Sequence, residues 1–185
     1  MRKSFLLAAV AVLIGWTAQA QVASLYVTSS SSRFSNIQTG LQSQTTSFWS
    51  SGIGGGVTFN FLPVGPVKVG FDLRGSTHPG TTGEDTAMAG LRVAFNPPLI
   101  RLKPYIQGSG GYVATRTLNA SYGTGTYSNE YAAWEICGGI DIPIATFVDL
   151  RAVELGGGTG VSIHAIADSP NISLFTVNAG LVFHF

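Results

Sequence analysis

Charge is what this chain has least of. Lys, Arg, Asp and Glu make up 10% of its 185 residues, where an ordinary soluble domain carries about 25%, so the usual water-facing surface is excluded. Cysteine is nearly absent too. Cys137 stands alone, which excludes an intramolecular disulfide. No His or other base lies beside it in sequence, so it reads as a packed strand residue and not as a reactive thiol. Long hydrophobic runs are also missing, the best being residues 5–14, too short to cross a bilayer as a helix. Nor is there an excess of charge of one sign. Without Arg2 and Lys3, eight of the ten basic residues face nine acidic ones, which removes the electrostatic case for a nucleic-acid partner.

What is present begins with a leader. Arg2 and Lys3 precede the apolar run, and Ala18-Gln19-Ala20 supplies an A-x-A cleavage site. Residues 1–20 are therefore expected to be a cleaved signal peptide, and residues 21–185 to form one domain.

In the last eleven residues, every second side chain is apolar: Phe175, Val177, Ala179, Leu181, Phe183 and Phe185. The alternate face, Thr176, Asn178, Gly180, Val182 and His184, is mostly polar or small. This is the period of a strand, and its length suits a transmembrane β-strand of about ten residues. The same alternation recurs at residues 53–61, 67–74 and 87–95, and less cleanly at 22–34, 104–115, 130–141 and 147–155. The inward face stays open in the first, fifth and seventh of these strands, with Tyr105, Gln107, Ser109 and Gly111 favoured inward in the fifth. Val153-Glu154 breaks phase, indicating a bulge or a strand end. Leu62-Pro-Val-Gly-Pro66, Asn96-Pro-Pro98 and Pro143 mark short turns, whereas residues 75–86, 117–129 and 156–171 read as long polar loops. The fold class is thus all-β: an eight-stranded antiparallel up-and-down transmembrane β-barrel, with strictly alternating long and short connections.

A soluble barrel with an apolar lumen would show the same alternation with its sense reversed. The charges decide between them. The polar faces hold Lys68, Arg74, Arg92 and Arg151 against Asp72, Glu135, Asp141 and Asp149. An eight-stranded barrel is just wide enough to be filled by side chains, and charges trapped there must be paired. A balanced set therefore belongs inside, with lipid outside.

The terminal Leu181-Val-Phe-His-Phe185, the run Lys103-Pro-Tyr-Ile-Gln-Gly-Ser-Gly-Gly-Tyr112 and Phe147-Val-Asp-Leu-Arg151 resemble the small OmpA/OmpX/OmpW-type outer-membrane barrels, over the whole of residues 21–185. The resemblance implies a location in the bacterial outer membrane and Phe183 and Phe185 as part of a C-terminal assembly signal read by the barrel assembly machinery. It also implies contact with outer-membrane lipid and lipopolysaccharide.

Some barrels of this class modify lipid A with Ser, His and an acid. Ser162-Ile-His164, with Glu154 or Asp168 nearby, is the local set of that kind, but it lacks the extended motif of the deacylases and reads better as polar loop. His78 and His184 have no ligand spacing around them, so neither a metal nor another cofactor is expected. Tyr122 and Tyr127, among Ser, Thr, Gly and Asn, are candidates for adaptable surface binding. The sequence favours a non-enzymatic monomer that supports the envelope or binds through its loops. Narrow transport of small or amphipathic solutes ranks second and a lipid A enzyme third.

Overall fold

In β1 (Ala23–Thr39), Ser24, Tyr26, Thr28, Ser30 and Ser32 are buried while Leu25 and Val27 between them are exposed. That ordering, polar inside and apolar outside, organises the molecule. The structure is a computed structural model and describes residues 23–39, 44–80, 82–118, 126–163 and 171–185. After β1 come β2 (Gln44–Val64), β3 (Val67–His78), β4 (Thr82–Phe95), β5 (Lys103–Leu118), β6 (Thr126–Ala145), β7 (Val148–Ser162) and β8 (Ile172–His184). Each pairs antiparallel with the next, and β8 returns to β1 to close the barrel. The start of β1 and the end of β8 meet there, with Phe185 N donating to Ala23 O at 3.0 Å. We call this the terminal end and the opposite rim the loop end.

The register fixes the geometry of closure. Stepping across paired residues from Leu25 leads through Val57, Leu73, Ala89, Gly110, Trp134, Thr159 and Ser173 back to β1 at Ser35. The circuit returns ten residues further on (35 − 25), so the strands are staggered as a closed barrel with strands tilted by about 35–45° requires.

The outer wall is apolar. Ile53, Phe71, Leu73, Leu91, Ile106 and Trp134 are each more than half exposed, and aromatic residues such as Phe61, Phe147 and Phe185 gather towards the terminal end. Such a surface is stable against hydrocarbon and would aggregate in water.

Two expectations about connections are corrected. The strands run past the apolar belt, so residues 75–78 and 82–86 are strand rather than loop, as are 117–118, 126–129 and 156–162. The strict alternation of long and short connections also fails: residues 79–81 at the loop end are fewer than residues 96–102 at the terminal end. The polar strand extensions carry no hydrophobic alternation, which is why they read as loop. At Val153-Glu154 the register shifts between Arg151 and Glu154, so this is a bulge and the strand continues. The signal peptide over residues 1–20 lies outside the described residues.

Candidate functional site: a lumen closed by two layers

From the terminal end upward, the lumen opens on a cluster around Asp149. Its Oδ2 accepts from Lys103 Nζ at 2.6 Å and lies 2.7 Å from His184 Nε2, while His184 Nδ1 is 2.8 Å from Ser24 Oγ. Lys68 lines the same mouth and is half-buried. Above it, Asp141 binds two arginines, Arg92 through Nη2 at 2.5 Å and Arg151 through Nε at 3.0 Å. Both guanidinium groups also face the ring of Tyr105, at 3.7 and 4.9 Å from its centroid.

The middle of the lumen is held by Arg74. Its Nε donates to Asp72 at 2.9 Å and its two terminal nitrogens donate to Glu154 at 3.0 and 3.3 Å. Asp72 further accepts from Tyr26, Thr58 and Gln107, and Glu154 from Arg151, Tyr105 and Asn178. Glu135 lies 4.0 Å from Arg74 and accepts from Thr176. A buried charge is tolerable only when its partners are supplied in this way. Glycine makes the room: a Cβ on Gly56 would strike the Tyr26 hydroxyl, and one on Gly156 would strike the Glu135 carboxylate.

The upper lumen is different in kind. Phe34, Met88, Val113, Tyr131, Ala133, Ile172 and Leu174 form a buried apolar cluster, against which Phe48 packs with its ring 6.0 Å from that of Phe34. Between this plug and the ionic layer lies a cavity of about 40 Å³, and a second of about 30 Å³ sits near Asp149. Each holds a few waters at most. Neither is a passage.

All eight charges assigned to the lumen from the sequence, Lys68, Asp72, Arg74, Arg92, Glu135, Asp141, Asp149 and Arg151, lie on its inner face. Lys103, Glu84 and Glu154 also face the lumen and were not assigned there from the sequence. Lys103 was hidden beside the proline turn, and Glu154 lost its phase at the bulge. The apolar plug was missed as well, although Phe34, Ile172 and Leu174 fall on the same phase as Ser32 and Asn178.

The hydrolase set is not brought together. Glu154 is buried in the lumen and Ser162 ends the same strand eight residues later, roughly 26 Å away at about 3.3 Å per residue. His164, Asp168 and Tyr122 lie outside the described residues, while Tyr127 falls within β6. Phe183 is half-buried and Phe185 exposed, at the seam between β8 and β1.

A different Ser, His and acid do meet. Ser32 Oγ donates to Glu84 Oε2 at 2.7 Å and lies 3.3 Å from His78 Nε2, and His78 Nδ1 lies 3.4 Å from Glu84 Oε1. His78 thus ends β3 instead of sitting in a loop. All three residues are buried, and the serine proton is directed to the glutamate and not to the imidazole. Buried in this way, Ser32 is not presented to a substrate as a nucleophile. Cys137 is likewise buried, with Arg74 Nη1 at 3.5 Å from its sulfur. Among the described residues, no group of three His, Cys, Asp or Glu is placed to hold a metal ion.

No protein-family profile matches the chain, and no curated protein matches it in sequence. Among solved structures, it matches the N-terminal β-barrel domain of Pseudomonas aeruginosa OprF with a TM-score of 0.56 at 12% identity, over 88% of this chain and 97% of that one. The fold is that of a small outer-membrane β-barrel. Neisserial surface protein A also aligns, at 13% identity and a TM-score of 0.49, over 87% of this chain and 97% of that one. So does Ail, the attachment invasion locus protein of Yersinia pestis, at 9% identity and a TM-score of 0.45, over 87% of this chain and 99% of that one. At such identities the likeness is one of fold. The polar lumen and apolar wall then give a barrel of this fold its orientation: lipid around it, charges within.

Proposed function

We propose that the chain is a non-enzymatic outer-membrane barrel that braces the envelope and presents its loop end outward, without conducting through its lumen. The observation that carries this reading is the double closure of the lumen. An ion-paired layer from Asp149 to Arg74 fills the lower part, and the Phe34 to Leu174 cluster caps it. Transport would require both layers to move aside. Ser162 and Glu154 stand far apart on β7, and the Ser32 group is buried, which favours a barrel without hydrolytic chemistry.

In this reading the terminal end faces the periplasm, after export directed by residues 1–20, and the barrel acts as a monomer. Lipid and lipopolysaccharide surround it, the assembly machinery engages the strand ending in Phe183 and Phe185, and residues around Tyr122 and Tyr127 are the surface available to a partner.

The test is single-channel recording of the refolded protein in a planar bilayer. The reading expects no reproducible conductance steps; steady steps of uniform size would overturn it in favour of transport. Surface binding has its own test. Replacing residues 122–128 by Gly and Ser should abolish cell or matrix adhesion conferred by the wild type, and unaltered adhesion would remove that role from this segment.

A further inference from the structure

Among the described residues, one cation on the outer wall has no partner. Arg33 lies on the outward phase of β1 and is exposed, at a level where most of the wall is still apolar. It stands eight residues beyond Leu25 (33 − 25), roughly 20 Å closer to the loop end for a strand tilted by about 40°. That places it near the upper edge of an apolar band about 25 Å tall, at the depth of lipid headgroups. Cross-strand, it sits between Trp49 on β2 and Phe175 on β8, its direct register partners.

Those two rings would be the natural place for a guanidinium to stack, yet they pack on each other. Their centroids are 6.1 Å apart in an edge-to-face arrangement that reaches across β1. The guanidinium stacks in the lumen are those of Arg92 and Arg151. Arg33 makes neither a ring contact nor an ion pair among the described residues, whereas Arg74, Arg92, Arg116 and Arg151 are all paired with carboxylates. Around it the wall changes from aliphatic to hydroxyl. Ser31 and Ser51 are hydrogen-bonded to each other at 2.9 Å on the exterior, and Ser29, Ser35 and Ser173 share the outward phase. The outward acids Asp85 and Glu130 lie on β4 and β6, and among the described residues β2 and β8 carry no carboxylate to answer Arg33.

An arginine left uncommitted at headgroup depth, with aromatic rings beside it and hydroxyls around it, is matched to a phosphate. We propose that Arg33, flanked by Trp49 and Phe175 and supported by the Ser31–Ser51 hydroxyls, binds a phosphate of a lipid in the outer leaflet. The aromatic pair, in register with Arg33, lies beside the same lipid at that depth. The site makes this sector of the wall, formed by β8, β1 and β2, the one that retains a lipid while the rest only meets solvent hydrocarbon. It depends on the wall facing lipid and is independent of whether the lumen conducts or the loops bind.

The experiment is native mass spectrometry of the whole refolded protein released from detergent, titrated with bis-phosphorylated lipid A or with the same glycolipid stripped of phosphate. Four proteins are compared: wild type, R33Q, R33K and R101Q, the last an exposed arginine in the turn at the terminal end. Gel mobility before and after boiling checks that each is a folded barrel. Wild type should retain one phosphorylated lipid about tenfold more tightly than the stripped form, as expected for a charge-assisted contact. R33Q should lose that preference, R33K should keep part of it, and R101Q should match wild type. Equal retention by R33Q and wild type would overturn the assignment. So would displacement of the lipid by inorganic phosphate at the lipid's own concentration, which would mark a site for the free ion. Equal retention of the stripped glycolipid would leave only adhesion to the aromatic pair and would also overturn it. A protein that retains no lipid of either kind and shows no boiling shift would instead count against the outer-membrane reading.

Discussion

Below Gln107 and Asn178 the barrel interior is filled by arginines and carboxylates that answer one another, whereas above Ser32 and Thr176 it is filled by Phe34, Val113, Tyr131, Ile172 and Leu174. Both layers seal the same tube, but they differ in what they tolerate. The apolar plug needs volume and little direction, so a lost methylene is felt in proportion to the space it leaves. The ionic layer needs direction. Asp72 and Glu154 each accept from four neighbours, and taking one donor away leaves charge in a place without water. A tube closed only by ions would depend on every partner, and one closed only by apolar groups could be swollen open. Stacking the two makes closure insensitive to either failure alone.

The largest effect should come from the ionic layer. Arg151→Met removes the group that joins Asp141 to Glu154, and is expected to lower stability by about 3–5 kcal/mol. Urea unfolding in lipid vesicles, followed by tryptophan fluorescence, measures it. A loss below about 1 kcal/mol would show that these charges do not act as a network. Next, Phe34→Ala opens the centre of the plug and should cost about 3 kcal/mol by the same assay. Combined with Arg151→Met its effect should add within about 0.5 kcal/mol, since Phe34 and Arg151 stand in different layers with a cavity between those layers; strong coupling would mean that they are one unit. The conductance of Phe34→Ala should stay at zero because the ions below remain, and steps in that variant would make the plug the sole seal. At the terminal mouth, Ser24→Ala loses its contact with His184 and should cost about 1 kcal/mol. Ser31→Ala, on the exterior, should change folding stability by less than about 0.5 kcal/mol.

The alternation at residues 175–185 was legible because lipid on one side and packed polar groups on the other impose opposite demands on successive side chains. Lys68, Asp72 and Arg92 were placed inside for the same reason. Where only one demand operates, the pattern disappears. Beyond the apolar belt, residues such as Ser76, Thr77 and Thr86 face water or one another, so β3 and β4 continue through a stretch that reads as loop. In the plug the inward face is apolar as well, and Leu174 beside Phe175 carries no sign of which points inward. Glu154 was recognised as an acid but set beside Ser162, because nothing in the sequence shows how far the bulge carries β7 upward before that strand ends. The Ser32, His78 and Glu84 group joins three strands and has no local signature at all.

The seam between β1 and β8 has a consequence for the order of events during folding. Ser24 and His184 are 160 residues apart in sequence, whereas hairpin partners such as Val64 and Val67 are neighbours. Bringing such distant ends together costs only about 2–3 kcal/mol more than closing a ten-residue loop, because the entropy grows with the logarithm of length. The search for that pairing is what is slow. Until β8 arrives, β1 and β7 are two open edges, each with a row of unmatched amides and carbonyls, and the Asp149 cluster lacks its histidine. The arrival of β8 therefore converts a sticky sheet into a finished ring.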